Sequence, residues 1–568
     1  MKILKKAIAL TLCALTVGST VGTLAACGNV GNPYGDTTPI QFANFQGGVG
    51  NAWLKEAGER FSKLKAEESY QNGKKGVTVS VTDIKAIPYD TITSSGYDIF
   101  TAENTADIYK MAGQGFLLDL SDIVENVNVK ADAKKRLQAA DGNYYALPHY
   151  EWYPGISYNV DYFEEQNLYF ADPTETIDVR EVQTDFGTAR FVSSDQAIKS
   201  VGPNGERGDY DDGLPSSVQE FLQLCDSITG RKPLTIAGAC LDYHFFFIDA
   251  LWAALAGSEQ MKTIYSLDSK GQAVVEAVTN TDVTTKLFDN VNANIIKPET
   301  EMIAIDETNG YKIYDQVARY YALATVQIIV EKDWFNTVSI GDTVSNLTAQ
   351  SSFMTAVGNA DNRTAMLWDG SYWYNESVAA ENISFHQTMN PTNPDLNLSY
   401  MPMPTQLYGQ VAEGEGKKNT LLDIGSAQLF VNQRVSEDPG LERACREFVE
   451  FLYSDAELAA FTEKTGQFRP IEYSYDKSKM SGFYQNMDAI RNKSDVVYFA
   501  SDSELFKNNF TSFTLTWSGA INRPIIDGAE VAAGSIKAMR LHGTTKASAV
   551  NIFNLTRKTQ SGWEQLIK

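Results

Sequence analysis

The sequence predicts an α/β protein of at least two lobes, on three observations. Residues 40–100 run strand, helix, strand at the spacing of a βαβ unit. At 568 residues the chain exceeds what one ordinary hydrophobic core organises. Residues 143–159 form an aromatic stretch interrupted by Pro148 and by Pro154-Gly155, breaks that let a chain leave one lobe and enter another.

The elements follow in chain order. Residues 40–45 read as a strand, Gly47-Gly48-Val49-Gly50 as a turn and 51–64 as a helix with Trp53, Leu54, Ala57, Phe61 and Leu64 on one face. Val77, Val79 and Val81 alternate with Thr78, Ser80 and Thr82 in a second strand, and 97–100 is a third. The glycines do not make a dinucleotide loop, because Trp53 stands where that spacing needs its last glycine. They mark a strand-to-helix turn whose free helix amides are available to a ligand.

Residues 167–215 are polar apart from a strand-like run at 189–192. Within them, 202–213 concentrates oxygen ligands beside glycines, yet lacks the alternate acidic spacing and closing glutamate of a twelve-residue calcium loop. A solvated turn without metal is the expectation. Ser217-x-x-Glu220 reads as a capping box opening a helix, and 248–255 as a buried helix entered through Asp242-Tyr243-His244-Phe245-Phe246-Phe247. Residues 365–374 carry a second aromatic cluster, a strand, Gly370 and then Tyr372, Trp373 and Tyr374. Strands at 400–404 and 425–431 precede helices at 441–453 and after the capping box Ser454-x-x-Glu457, and helices at 527–540 and 547–566 are expected last.

The first residues are not fold. Lys2, Lys5 and Lys6 precede an apolar run to about Val17, then Leu24-Ala25-Ala26-Cys27-Gly28, which looks like a bacterial lipobox. Residues 1–26 read as a lipoprotein signal peptide, Cys27 as the lipidated residue and 27–38 as a polar tether. The expected location is the outer face of the cytoplasmic membrane, held by lipid alone. Removal of three lysines takes the net charge from −23 to −26, which argues against nucleic acid as partner. Cys225, Cys240 and Cys445 then remain, too few for a disulfide framework, and Cys225 and Cys445 fall on apolar helix faces.

Aromatic faces beside carboxylates suit a ligand with both hydroxyls and an apolar face, which describes a sugar ring. Glu103, Glu151, Asp242 and Asp369 can accept from hydroxyls, and Tyr150, Trp152 and Tyr372 offer plates. Trp252 and Trp368 are assigned to the core.

Several segments together carry a resemblance. They are the lipobox, residues 45–54, Tyr97-Asp98-Ile99-Phe100, residues 141–148 with Tyr158-Asn159, Leu214-Pro215-Ser216-Ser217, Thr364-Ala365-Met366 with Asp369-Gly370-Ser371-Tyr372-Trp373, and 448–466. In this order they resemble the extracellular solute-binding lipoproteins of ABC importers, in the carbohydrate-binding family 1 that includes maltodextrin-binding proteins. The resemblance covers most of the chain after Cys27. It implies an α/β, two-lobe periplasmic-binding-protein-like fold of type II, with a hinge between the lobes and a ligand cleft at their interface. Lobe 1 would comprise 39–152 with 395–455, and lobe 2 153–394 with 456–568. Glu103 or Asn104 would bind hydroxyls, Glu151 and Trp152 would sit at the crossing, and Asp242 and Tyr243 would face them. Tyr372 stands where the family often has a tryptophan and Trp373 follows, so both rings are candidates for the stacking plate.

The implied function is capture of a carbohydrate, an oligosaccharide by preference, and its delivery to ABC permease subunits, by a monomer without cofactor or catalysis. The rival reading is an exported glycoside hydrolase or another carbohydrate-active surface lipoprotein. A hydrolase needs two carboxylates about 5–10 Å apart, and no hydrolase pattern surrounds Glu151 or Asp369. A metal site is not expected from His149, His244, His386 or His542, none of which has partners at ligand spacing.

Overall fold

The computed structural model describes residues 35–84, 89–103, 105–193, 195–279, 288–289, 294–295, 297–336, 343–354, 363–389, 396–424, 427–498, 525–526, 529–530 and 548–566. The lipobox with Cys27, the residue Asn104 and most of the expected helix at 527–540 lie outside them. Where that helix was expected, Ala529–Glu530 pairs as a short strand with Ile525–Ile526.

Two sheets organise the chain. The first holds β1 (Thr38–Phe45), β2 (Val77–Ile84), β3 (Ile99–Ala102) and β4 (Ala146–Pro148), with the late strand Gln428–Val431 between β3 and β4. β1 runs parallel to both neighbours, and the late strand runs antiparallel to both of its own. Helix α1 (Ala52–Leu64) connects β1 to β2, completing the expected βαβ unit. It buries Trp53, Leu54, Ala57 and Phe61 as its spacing predicts, whereas Leu64, its last residue, is exposed.

The second sheet begins at β5 (Pro154–Asn159). The polar segment after it forms a hairpin of β6 (Val179–Thr184) and β7 (Gly187–Val192), of which the sequence revealed only the apolar half. Next come β8 (Leu234–Ile236), helices α2 (Phe246–Ala256) and α3 (Val317–Glu331), β9 (Met366–Gly370), α4 (Trp373–Ala379) and β10 (Leu398–Met401). The sheet order is β10-β5-β9-β8, and every residue of these four strands is buried. Burial on both faces replaces alternation with continuous apolar runs. α3 is buried along 317–330 and packs against α2, with Trp252 and Trp368 in the core as expected. Its all-round burial explains why no amphipathic period announced it.

After β10 come β11 (Thr420–Asp423), β12 (Gln428–Val431, the late strand), α5 (Pro439–Leu452), α6 (Asp455–Thr465), α7 (Gly482–Lys493) and β13 (Asp495–Tyr498). In α5, Asp438 accepts the amides of Gly440 and Leu441 and Pro439 opens the helix. Its stripe of Ala444, Cys445, Phe448, Val449 and Leu452 is buried, and Phe448 meets Phe42 of β1 edge-on at 6.3 Å. Burying each large apolar side chain of that stripe contributes about 1.5–3 kcal/mol. The expected capping box of α6 does not form. The Ser454 hydroxyl donates to the Phe451 carbonyl at 2.7 Å, and Glu457 instead receives two hydrogen bonds from Arg60, tying α6 to α1. At Ser217 the cap is half made: its hydroxyl accepts the Glu220 amide at 3.2 Å, while the Glu220 carboxylate turns to Ser216.

Among the described residues the chain passes between the sheets three times, at 149–153, at 402–427 and at 466–481. β11 and β13 lie among these passages and pair in parallel from Thr420↔Asp495 to Asp423↔Tyr498. Two details differ from the expected division at 395 and 456. β10 hydrogen-bonds to β5 in the second sheet, and α6 packs on α1 beside the first. The expected final helix is two, Ala549–Leu555 and Gln560–Leu566. The first is held by buried Arg319, which donates to the carbonyls of Tyr314 and Phe553 and to the Thr556 hydroxyl. Among the described residues no helix is long and apolar enough to cross a membrane.

Candidate functional site

Pro148 ends β4 and Pro154 begins β5, positions where a missing N–H leaves no ladder bond unmade. The five residues between them divide by side. Glu151 pairs in a β-bridge with Phe468, so the segment is extended there and alternate side chains project oppositely. Tyr150 and Trp152 go one way, and Glu151 and Tyr153 the other.

On the first side, the Tyr150 hydroxyl donates to the Glu103 carboxylate just beyond β3 and lies 3.1 Å from the Gly47 carbonyl. Trp152 packs against Phe246 at 5.1 Å and edge-on against Tyr372 at 5.1 Å and 84°. Tyr243 meets Phe246 at 4.8 Å and Tyr372 edge-on at 6.5 Å. A side chain at Gly370 would have its Cβ 3.1 Å from Trp152 and 2.5 Å from Tyr372, so the glycine lets both rings close over the strand end. The Trp152 indole N–H is buried without an acceptor among the described residues. Four rings from three elements thus face one side of the crossing.

Carboxylates surround the rings. Gln350 donates from one amide nitrogen to both Asp369 at 3.2 Å and Glu376 at 2.8 Å, and Asn346 donates to Glu376 at 2.9 Å. Asp369 also accepts the Gly370 amide at 2.7 Å. Burial, reinforced by the charge of Glu376, holds Asp369 well above the ordinary carboxylate range. Burial likewise raises Glu376 against the hydrogen bonds of Gln350 and Asn346. Glu103 is pushed up to about 7, by burial first and by the charges of Glu376 and Asp423, against the bond from Tyr150. The Tyr243 hydroxyl is held above its usual range mainly by burial, with the charges of Asp369 and Glu376 adding to it.

Glu103 stands beyond the first sheet and Glu376 in α4 of the second, so their interaction spans the two halves. Gly48 makes the contact direct. With φ +77 it occupies the left-handed region, and a Cβ there would lie 3.0 Å from Tyr372 and 3.2 Å from Glu376. The cleft is closed onto its own rings. A cavity of about 470 Å³ lies elsewhere, walled by Phe170, Arg190, Gln219, Glu220, Gln223 and Gln410.

The other side of the crossing is taken up by an ion pair. Glu151 is 1 % exposed and receives Arg491 Nε at 2.7 Å and Nη2 at 3.1 Å, together with the hydroxyls of Tyr153 and Tyr498. Burial alone would raise its pKa, but the Arg491 charge and hydrogen bonds, helped by Lys130, bring it down to about 2. Asp423 and Arg136 form a second fully buried pair at 2.9 Å beside it.

Of the residues singled out from the sequence, Glu103, Tyr150, Trp152, Tyr243, Asp369 and Tyr372 gather in one packed cluster where the two halves meet. Glu151 does not: it is enclosed by its own ion pair, because the extended backbone turns it away from Trp152. Trp373 is fully buried beneath, its indole donating to Ser157 at 2.8 Å and its ring packed on Phe353 and Phe483. Of the two rings, Tyr372 is the one packed against Trp152 and Tyr243, and it is buried there as well. The Asp242 side chain and Asn104 lie outside the described residues. Glu376 was missed, although it stands four residues after Tyr372, one helical turn along the same face. Gln350 had no local signal.

No protein-family model matches the chain, and no curated protein does. Solved structures do. The apo form of RafE from Streptococcus pneumoniae is 16% identical, with 85% of this chain and 94% of that one covered and a TM-score of 0.46. The GacH receptor of Streptomyces glaucescens, solved unliganded and with acarbose, is 13% identical over 94% of this chain and 98% of that one, with a TM-score of 0.49. A chitin oligosaccharide binding protein is 13% identical over 89% and 98%, with a TM-score of 0.48.

Proposed function

We propose that the protein is the solute-binding component of an ABC importer, capturing a carbohydrate between its two halves and delivering it to permease subunits. The observation that carries this is the opposition of Glu103, Tyr150 and Gly48 on one half to Trp152, Tyr243, Tyr372 and Glu376 on the other, beside a triple crossing. Rings at near-right angles offer flat faces to the C–H side of a sugar, and paired carboxylates accept from its hydroxyls. The buried N–H of Trp152 supplies a donor. A ligand touching both halves binds the closed form better than the open one and shifts the population toward it.

In the same reading Cys27 is acylated after removal of residues 1–26, and the protein acts as a monomer at the outer face of the cytoplasmic membrane, without catalysing a reaction. The test is calorimetry of the tagged soluble chain from residue 28 against raffinose, acarbose, chito-oligosaccharides and xylo-oligosaccharides, with chromatography of the mixtures afterwards. Saturable heat with intact sugar supports the receptor. Cleaved sugar would instead make the protein a glycoside hydrolase, and absence of binding across the panel would remove carbohydrate as ligand.

A further inference from the structure

The segment 202–213, expected as a solvated turn, is largely packed. Asp209, Asp211 and Asp212 each bring a carboxylate oxygen within 4.8 Å of the other two. Asp211 is fully buried. Its Oδ2 accepts the Asn204 amide at 3.0 Å, but Oδ1 is buried with no donor among the described residues. Asp212 repeats the pattern: one oxygen accepts the Gly208 amide at 2.8 Å, and Oδ1 is buried without a donor. Asp209 is satisfied by Lys493 at 2.6 Å and the Asn204 side chain at 2.8 Å, and accepts the Asp211 amide at 3.3 Å. Two orphaned carboxylate oxygens beside a third carboxylate are a costly arrangement unless a positive charge sits among them.

Lys493 does not meet that need, because its contacts are to Asp209 and Glu206 on one flank. Arg207 reaches away, to Asp172 at 2.6 Å and Glu413 at 3.1 Å. We propose that Asp209, Asp211 and Asp212 hold a divalent cation, with Ca²⁺ preferred to Mg²⁺ and Zn²⁺. The donors are all oxygen, which disfavours zinc. An irregular loop suits the larger, more adaptable coordination shell of calcium better than the strict octahedron of magnesium. The cation would fix this loop against α7, which Lys493 already joins to it. This inference does not rest on the carbohydrate reading.

The test uses the soluble chain from residue 28, stripped with a chelator and titrated with Ca²⁺, Mg²⁺ and Zn²⁺ by calorimetry and by thermal melting. Terbium luminescence, excited through Tyr210, reports occupancy of the loop independently. One Ca²⁺ per chain, a calcium-dependent rise in melting temperature and Tyr210-sensitised emission are expected. Asp211→Asn and Asp212→Asn should each weaken calcium by at least about tenfold, with circular dichroism showing that they fold. Failure of stripped wild type to respond to calcium overturns the proposal, as does equal calcium binding by both folded variants. Magnesium or zinc binding as tight as calcium overturns the stated preference.

Discussion

Glu151 and Arg491 are joined across the crossing by two hydrogen bonds, at 2.7 and 3.1 Å, between a carboxylate 1 % exposed and a guanidinium from α7. One partner lies between the two sheets and the other in a helix packed on the second. The pair therefore holds the passage of the chain rather than the ligand.

Its removal should be costly and pH-dependent. Arg491→Ala leaves a buried carboxylate unpaired, and a loss of about 3–5 kcal/mol is expected. The Glu151 pKa is depressed to about 2 from 4.5, so its contribution is present above the unfolded value and lost as pH falls from about 4.5 toward 2. Urea denaturation of wild type and Glu151→Gln at several pH values should show the wild-type advantage at pH 7 shrinking through that window. An advantage unchanged at pH 3 would contradict the pairing.

Glu103 should act with the opposite sign. Its pKa is raised to about 7, so the neutral acid favours the folded cleft, and that stability is present below about 4.5 and lost as pH rises through about 7. Glu103→Gln should flatten the fall in melting temperature of wild type between pH 5 and pH 8. A wild type whose stability rises across that range, by an amount the variant does not share, would count against it.

Two adjacent rings should differ in their effect on binding. Tyr372→Ala is expected to weaken carbohydrate binding by at least about tenfold, or 1.4 kcal/mol, and also to lower stability, because the ring is packed against Trp152 and Tyr243. Trp373→Ala empties a core site and should cost about 3–5 kcal/mol of stability. Calorimetry and denaturant titration of the two variants check both, and similar profiles would show that the rings do not have these separate places.

Gly48→Ala tests the closure. The substitution forces a side chain into the left-handed region, at about 1–2 kcal/mol, and sets its Cβ against Tyr372. Small-angle scattering should show a larger radius than wild type and calorimetry a weaker ligand. An unchanged radius would mean that the turn does not gate the approach of the two halves.

Much of the fold was legible because it is local. The βαβ unit declares itself through one apolar helix face and one alternating strand, and the crossing through Pro148 and Pro154. Tyr150 and Trp152 were readable as cleft residues for the same reason that Glu151 should not have been grouped with them: in extended chain, neighbours face apart. What stayed hidden depends on contacts distant in sequence. α3 carries no period because it is buried all round, Gln350 meets Asp369 only through tertiary packing, and Trp373 is distinguished from Tyr372 by its distant partner Ser157.

The parallel pairing of β11 with β13 limits what the crossings can do. Four registered residue pairs stop the two strands from sliding along each other, so the passage at 402–427, which carries β11, is tied to the strand that follows α7. That passage and the strand after α7 are thereby held in one register. The passage at 149–153 joins the same frame, because the Tyr498 hydroxyl at the end of the ladder donates to Glu151.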